Sequence, residues 1–492
     1  MSPRPFTPDS NSDRQPLVTD DVNAPKAFES PIPGLVLWRL PVHKDNRGWF
    51  KENWQREKMV AAGLPDFGPV QHNISFNTAV GTTRGIHAEP WDKLVSVATG
   101  SVFGAWVDLR DGPTFGSTFT AVLDATRAVF VPRGVGNAFQ TLERDTAYTY
   151  LVNDHWSPEA EYASLHLQDE SVGIAWPIPM EHAELSAKDT NHPRLENVKP
   201  MPRRKTLVLG AEGQLGRALR AIYGDALNLE FAARSEIDLT STNLEVARRW
   251  ADYDTIINAA AYTSVDMAET PEGRVAAWAT NVAGVAVLAR IASRYRITLV
   301  NVSSDYVFDG TLGRPYLEDD LVAPLGVYGQ TKAAGDQIVA TVPHHYIVRT
   351  SWVIGDGRNF VRTMVSLAQR GANPSVIDDQ RGRLTFAFDL ARAIRHLLDT
   401  GAAYGVYNVT GAGSVMSWSD IAHRVFELTG HDPNRIKSVS TSEYVAKGAG
   451  PSATRPRNSA LDLSKAASVG FRPSEVDAQL AAYVSTIARK IR

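Results

Sequence analysis

From about residue 31 to 180 the apolar positions come in short bursts: "GLVLWRL", "KLVSVATGSVFGAWVDLR", "STFTAVLD", "RAVFVPRG", "NAFQTL" and "TAYTYLVN", separated by Gly, Pro, Asn and Asp. Closely spaced short strands with turn residues between them predict an all-β sandwich or barrel. From 205 onward the rhythm changes. Strand-length apolar runs alternate with helix-length segments: "KTLVLG" precedes "GQLGRALRAIYG", and "YDTIINAAA" precedes "GRVAAWATNVAGVAVLARIASRY" and then "ITLVNVSS". That alternation predicts βαβ units and a doubly wound parallel sheet. Between the two patterns lies "LSAKDTNHPRLENVKPMPRRK", polar, with three prolines and a basic end, which reads as a linker. The expected organisation is a disordered Pro/Ser/Asp-rich tail over 1–28, a β unit over 29–184, a linker over 185–204 and an α/β unit over 205–492.

Bulk properties narrow the function classes. A chain of 492 residues exceeds what one core supports and fits two or three domains. A formal charge of −3 gives no reason to expect nucleic acid or an anionic membrane surface as partner. The absence of cysteine excludes disulfides and thiolate-bound zinc and fits a reducing compartment. The N-terminal stretch has no apolar signal-peptide core, and the apolar run "NVAGVAVLARIASRY" is broken by arginines, so no membrane span is expected and a soluble cytoplasmic protein is.

Candidate chemistry gathers where the apolar runs of the second half stop. "DYDTIINAAAYTSVDMAET" and "LVNVSSDYVFDG" end their strands in small and polar residues, as strands of a parallel sheet do when their C-terminal ends face a ligand. "TLVLGAEGQLGRAL" places Gly210, Gly213 and Gly216 at a strand end and helix start, where glycines let the backbone approach a pyrophosphate and the helix N-terminus attracts it. After the second strand Arg234 stands where a carboxylate would grip a ribose 2′-hydroxyl. It can meet a 2′-phosphate instead, which favours NADPH over NADH. In "YGQTK", Tyr328 and Lys332 share one helix face, so the ammonium is expected to lower the tyrosine pKa for proton transfer to a carbonyl oxygen. Ser304 supplies a further hydroxyl for that oxygen, and Asp305 beside it can hold a sugar hydroxyl.

The pieces "GAEGQLG", "IDLT", "INAAAYTSVDMAE", "SSDYVFDG", "YGQTK", "IVRTSWVIG", "NFV", "DDQRGRLT" and "RPRNSALD", in this order, resemble the dTDP-4-dehydrorhamnose reductase family of extended short-chain dehydrogenases/reductases over 205–492. The resemblance implies a Rossmann-type fold, Ser304, Tyr328 and Lys332 as the catalytic set, and Gln214, Leu215, Asp238, Leu239, Ala260 and Tyr262 along the cofactor. Ser304 stands where that family commonly has threonine.

In the first half, "RGWFKENW", "QHNISFN", "RGIHAEPWDKLVSVATGSV", "DLRDGPTFG" and "DESVGIAWP" resemble the dTDP-4-dehydrorhamnose 3,5-epimerase family, a cupin-type jelly roll, over roughly 31–195. Epimerising carbons beside a keto group needs a base, a cation near the enolate oxygen and an acid on the other face. The resemblance implies His87 as base, Asp169 as its orienting partner, Lys93 as enolate stabiliser and Tyr150 as acid. Arg47 and Arg84 would hold the diphosphate, with Glu52, Gln71, Asn73 and Asn137 in the substrate site. Two departures are visible: Asn137 replaces a usual histidine and Glu89 a usual glutamine. A metal-binding cupin is the rival reading, but His87 has Glu89 rather than a second histidine two residues on, so no metal is expected.

Together these resemblances imply a bifunctional enzyme that epimerises a dTDP-4-keto-6-deoxyhexose and then reduces it, with a homodimer through the barrel as the candidate assembly. Two alternatives stay open on the residues alone: a reductase fused to a partly active or binding-only barrel, and a non-catalytic nucleotide-binding regulatory subunit.

Overall fold

The computed structural model describes residues 26–224, 228–446 and 450–491, and divides into two compact units, 1–203 and 204–492. Most of the expected N-terminal tail lies outside the described residues. Its end does not: β1 (Lys26–Glu29) pairs antiparallel with β2 (Val36–Arg39), so residues 26–28 belong to the first sheet.

The first unit continues with the hairpin β3 (His43–Asp45) and β4 (Gly48–Phe50), helix α1 (Arg56–Ala61), and strands β5 (Gln71–Asn77), β6 (Thr83–Ala88), β7 (Lys93–Thr99), β8 (Val102–Asp108), β9 (Thr118–Leu123), β10 (Arg127–Val131), β11 (Val135–Thr141), β12 (Thr146–Val152) and the short β13 (Ala163–Ser164). They form two sheets, ordered β1-β2-β10-β7-β12-β5 and β13-β6-β11-β8-β9. Alternation along each strand divides the side chains between faces. Val95, Val129 and Tyr148 of one sheet meet Val102, Trp106 and Phe139 of the other in the central core. On the outer face of the second sheet Ile86, Val107 and Ala138 are covered by Leu165, Leu167, Val198 and Met201. The segment expected to be a linker is therefore mostly part of this unit. Its prolines separate short 3₁₀ turns, Asp189–Asn191 and Leu195–Asn197, while its few apolar residues are pinned to the sheet.

Gly85 in β6 lets β11 approach closely. A Cβ there would fall 2.5 Å from that of Ala138, and its φ of +123° suits glycine alone. The register between β6 and β11 shifts at this point, setting His87 opposite Asn137 and Arg84 opposite Phe139.

The second unit has a parallel sheet that includes β14 (Lys205–Leu209), β15 (Leu229–Ala232), β16 (Tyr253–Asn258), β17 (Thr298–Ser304) and β18 (His345–Thr350), ordered β15-β14-β16-β17-β18 and closed by Gly405–Asn408. Helix α2 (Gln214–Tyr223) follows β14, and β15 and β16 then flank β14 on opposite sides. This is the switch point at which doubly wound sheets open a crevice. Helices α3 (Pro271–Trp278) and α4 (Val285–Tyr295) join through a π-helical turn, Ala279–Gly284. The continuous segment Pro271–Tyr295 is long and apolar enough by length and composition to cross a membrane, contrary to the sequence expectation. Its Val285, Leu288, Ile291 and Ala292 pack into the core beneath β14, β16 and β17, the place of an interior helix.

Candidate active sites

A cleft of about 1020 Å³ opens along the C-terminal ends of β14, β16 and β17. The first turn is built for close approach: Gly210 has φ +75°, and a Cβ on it would lie 2.8 Å from the Ala260 nitrogen. No side chain caps α2 at Gly213, so the positive end of this helix faces the cleft. Gly213, Gln214, Leu215, Arg234, Asp238, Leu239, Ala260 and Tyr262 all line it, while Gly216 lies buried under the turn, where a Cβ would meet the Gly210 carbonyl. The donor groups, the glycine cradle and the volume fit a dinucleotide.

The strand ends are polar because they are wired together. Asn258 Nδ2 donates to Asn301 Oδ1 at 2.8 Å, and Ala260 N donates to Asn258 Oδ1 at 3.2 Å. Asn281, in the π-helical turn, clamps the opposite wall: its Oδ1 accepts from Tyr262 N at 2.9 Å while its Nδ2 donates to Tyr262 O and Thr331 Oγ1. Sequence reading missed Asn281, whose only signal is a lone amide in an otherwise apolar helix.

Helix α5 (Val327–Val339) carries Tyr328 and Lys332 on one face, and both line the cleft with Ser304 and Asp305. Lys332 is 3% exposed and its Nζ donates to Val302 O at 2.7 Å. Burial lowers the Lys332 pKa, opposed by the nearby Asp336. The Tyr328 pKa is raised, first by burial and next by Asp305, against a hydrogen bond with Ser304. This corrects the expectation of a phenolate-stabilising lysine. In the ligand-free protein Tyr328 keeps its proton, the state a donor to an alkoxide requires. Asp305 is buried and accepts from Ser304 Oγ at 3.0 Å. Its carboxyl is pushed up to about 7 by burial, against hydrogen bonds with Ser459 and Ser304. The cleft also holds Trp352 and Trp418, stacked at 3.8 Å, an aromatic wall that no spacing rule revealed because the two are far apart in sequence.

In the first unit His87 Nε2 lies 2.9 Å from Asp189 Oδ1. Asp169 is elsewhere: its Oδ1 accepts from Ser171 N and Ser171 Oγ, and its Oδ2 from Leu195 N. The expected His87–Asp169 pair is thus replaced by His87–Asp189, a carboxylate from the packed 185–203 segment. Lys93, 4% exposed, pairs with Glu89, and its Nζ stands 6.0 Å from the Tyr150 ring centre. The Tyr150 pKa is raised by burial and then by Glu89, with Arg84 opposing. Asn137 Oδ1 accepts from Trp106 Nε1 at 2.9 Å and Tyr148 OH at 3.0 Å, so the amide is anchored inside the sandwich.

Lys93 and Tyr150 therefore lie together with Glu89 and Arg84 nearby, while His87 stands opposite Asn137 across β6 and β11 and is held by Asp189. Asn73 pairs with Tyr150 across β5 and β12, and Gln71 Nε2 donates to Asn73 Oδ1 at 2.8 Å on the sheet edge. Arg47 and Glu52 do not join them through any contact: Arg47 is exposed and paired with Asp45, and Glu52 is paired with Lys58. The barrel also brings up a second imidazole that sequence reading did not foresee, His192, with Nε2 3.8 Å from Asp189 Oδ1.

A dinucleotide-sized cleft carrying a buried Tyr-x-x-x-Lys pair and a strand-end serine defines an oxidoreductase of the short-chain dehydrogenase/reductase class, joined here to a cupin-type jelly roll. The chain belongs to the family described as RmlD substrate binding domain over residues 204–489, and over residues 29–197 to that of dTDP-4-dehydrorhamnose 3,5-epimerase. It is 50% identical over 177 residues, 35% of this chain and 89% of the relative, to a "Protein RmlC homolog" of Streptococcus pyogenes serotype M6. It is 37% identical over 287 residues, 55% of this chain and 95% of the relative, to dTDP-4-dehydrorhamnose reductase of Aggregatibacter actinomycetemcomitans. The dTDP-4-dehydrorhamnose reductase of Bacillus anthracis, solved in complex with NADP, superposes with a TM-score of 0.53 at 30% identity, covering 58% of this chain and 99% of that one.

The state of Asp305 sets a pH dependence. The unfolded carboxyl releases its proton near 3.8 and the folded one near 7. Folding therefore retains a proton across that window, and the contribution to stability falls as pH rises from about 4 to about 7, levelling above it. Asp305→Asn, similar in shape and uncharged, should lessen that loss for the second unit, measured by urea unfolding at pH 5 and pH 8. An identical pH difference in both proteins would refute the assignment.

Proposed function

We propose that the chain performs consecutive steps on a nucleotide-linked 4-keto-6-deoxyhexose: inversion at C5 and C3 in the barrel, then reduction at C4 in the second unit, giving dTDP-L-rhamnose or a related deoxysugar nucleotide. The observation that carries this reading is the coexistence of a His87–Asp189 pair and a Lys93–Tyr150 contact in the first unit with a complete Ser304/Tyr328/Lys332 set lining the cleft of the second. A non-catalytic regulatory subunit would have no need to keep both.

In the barrel, Asp189 fixes the His87 ring so that one nitrogen is held and the base acts from a set position on a carbon beside the ketone. Lys93 supplies positive charge to the enolate oxygen, and Tyr150, kept protonated by burial, returns a proton from the other face. Because Asn137 is neutral and already accepts two hydrogen bonds, it serves to shape the pocket and carries no proton. In the second unit bound NADPH supplies the hydride. Tyr328 donates its proton to the oxygen formed at C4, Ser304 orients that oxygen, and Lys332 and the α2 N-terminus hold the cofactor's ribose and phosphates.

These assignments make the two activities separable. Tyr328→Phe should lower NADPH oxidation by roughly 10²–10⁴-fold, as loss of a positioned acid does, while solvent deuterium still enters C3 and C5 of the keto sugar. His87→Ala should abolish deuterium entry and leave reduction of a pre-epimerised substrate intact. Loss of both reactions in either variant would mean that the sites are not independent.

Arg234 supports the preference for NADPH. Its side chain is 80% exposed at the cleft, held 3.2 Å from Asp238 Oδ2, and free to swing toward a 2′-phosphate. Arg234→Asp should reverse the order of affinity for NADPH and NADH in fluorescence titrations, since it exchanges an attraction for a repulsion. Equal affinities in the unaltered protein would rule the preference out.

The homodimer reading rests on β5, an edge strand whose Ile74 and Phe76 are 65% and 57% exposed. An open edge with apolar side chains invites pairing with a second copy. Light scattering should give twice the chain mass, and Phe76→Lys should shift it toward the monomer. A monomer in the unaltered protein would exclude this assembly.

A further inference from the structure

His87, Asp189 and His192 each offer one atom to a common point: their ligand atoms all lie within 4.8 Å of one another. The same Asp189 oxygen stands 2.9 Å from His87 Nε2 and 3.8 Å from His192 Nε2. Ligand atoms of a tetrahedral zinc at about 2.0–2.1 Å are separated by roughly 3.4 Å, between these two distances. The imidazole rings cross edge to face at 5.1 Å, with the Nε2 of each beside the same Asp189 oxygen.

His192 gives the independent signal. Its side chain is 6% exposed, and among the described residues neither ring nitrogen has a well-formed hydrogen bond, its neighbours being the Leu165 backbone and the Asp189 carboxylate. A buried imidazole whose nitrogens are this weakly satisfied costs free energy, which a ligand at the Asp189 carboxylate would recover. Two imidazoles and one carboxylate are a donor set that first-row transition ions favour, and three protein ligands leave a fourth position for water. The second and third ligands come from one short turn, Asp189–Asn191 and the residue after it, and the first from β6, so the set is held by two elements packed together.

We propose that His87, Asp189 and His192 form a binding site for a divalent transition ion such as Zn²⁺, and that occupancy silences the barrel by engaging the His87 nitrogen needed as base. The binding half is independent of the proposed function. The silencing half rests on the reading of His87 as base.

The full-length chain is titrated with Co²⁺ as a spectroscopic probe and with Zn²⁺ as competitor, while deuterium entry into the keto sugar and NADPH oxidation are followed separately. A visible ligand-field band should grow to one Co²⁺ per chain and be displaced by Zn²⁺. Zn²⁺ should suppress deuterium entry, spare the reduction of a pre-epimerised substrate, and be reversed by EDTA. His192→Gln should weaken both the band and the inhibition by at least the roughly 10–100-fold that loss of an outer partner costs. His192→Asp, which restores an oxygen ligand, should recover part of each. Absence of a Co²⁺ band, or a band and Zn²⁺ sensitivity unchanged in His192→Gln, overturns the site. A His192-dependent band with undiminished deuterium entry leaves the site standing and overturns the silencing, and with it the role of His87.

Discussion

Keeping an ammonium group out of water is the demand around which the polar interior of the second unit is arranged. Lys332 is 3% exposed, and its Nζ reaches the Val302 carbonyl at the end of β17. Asp336, one helical turn further on, lies buried at 3.2 Å from Arg349 Nε, and Arg349 Nη1 in turn donates to the Glu318 carbonyl. Charges thus alternate from α5 into β18, which pairs directly with β17. Removing any one member would strand another buried charge, which costs far more than the pair itself contributes. The same arrangement sets the height of α5 against the sheet, and with it the position of Tyr328 above the crevice.

The barrel meets a related demand with different means. Its buried carboxylate, Asp189, is supplied by an irregular segment, and its amide, Asn137, is held by two aromatic donors, Trp106 from the adjacent strand and Tyr148 from the facing sheet. In the second unit charge is balanced along regular elements. In the first, the sandwich supplies the walls, and a stretch of short 3₁₀ turns reaches over to complete the site. Both units raise the pKa of a tyrosine by burial, Tyr150 in one and Tyr328 in the other, so each carries a phenol whose proton is held more tightly than in water.

The architecture was legible because periodicity is local. Short apolar runs separated by turn residues marked the sandwich strands, and strand-to-helix alternation marked the parallel sheet. Glycines at a strand end located the nucleotide turn, and the four-residue spacing of Tyr328 and Lys332, together with Ser304 at a strand end, pointed to the cleft they line. What escaped were pairings set by folding alone. Asp169 and Asp189 are both buried carboxylates near the end of the barrel, and only the path of the 163–203 segment decides which meets His87. Composition misjudged that segment: three prolines and many charges look like a linker, whereas Val198 and Met201 suffice to fix it to the sheet. The direction of the Tyr328 shift was also hidden, since burial outweighs a neighbouring lysine whose own bonds point to Val302.

The late carboxylate has a consequence for the way such a chain can be divided. A barrel cut where its last recognisable strand pattern ends would keep His87, Lys93 and Tyr150 yet lack Asp189, His192 and the apolar cover over Ile86 and Ala138. Two genes joined at that earlier point would leave the His87 ring without its carboxylate partner. The seam that loses nothing falls where the compact units part, at Arg203 and Arg204, a pair of arginines immediately before the first strand of the parallel sheet.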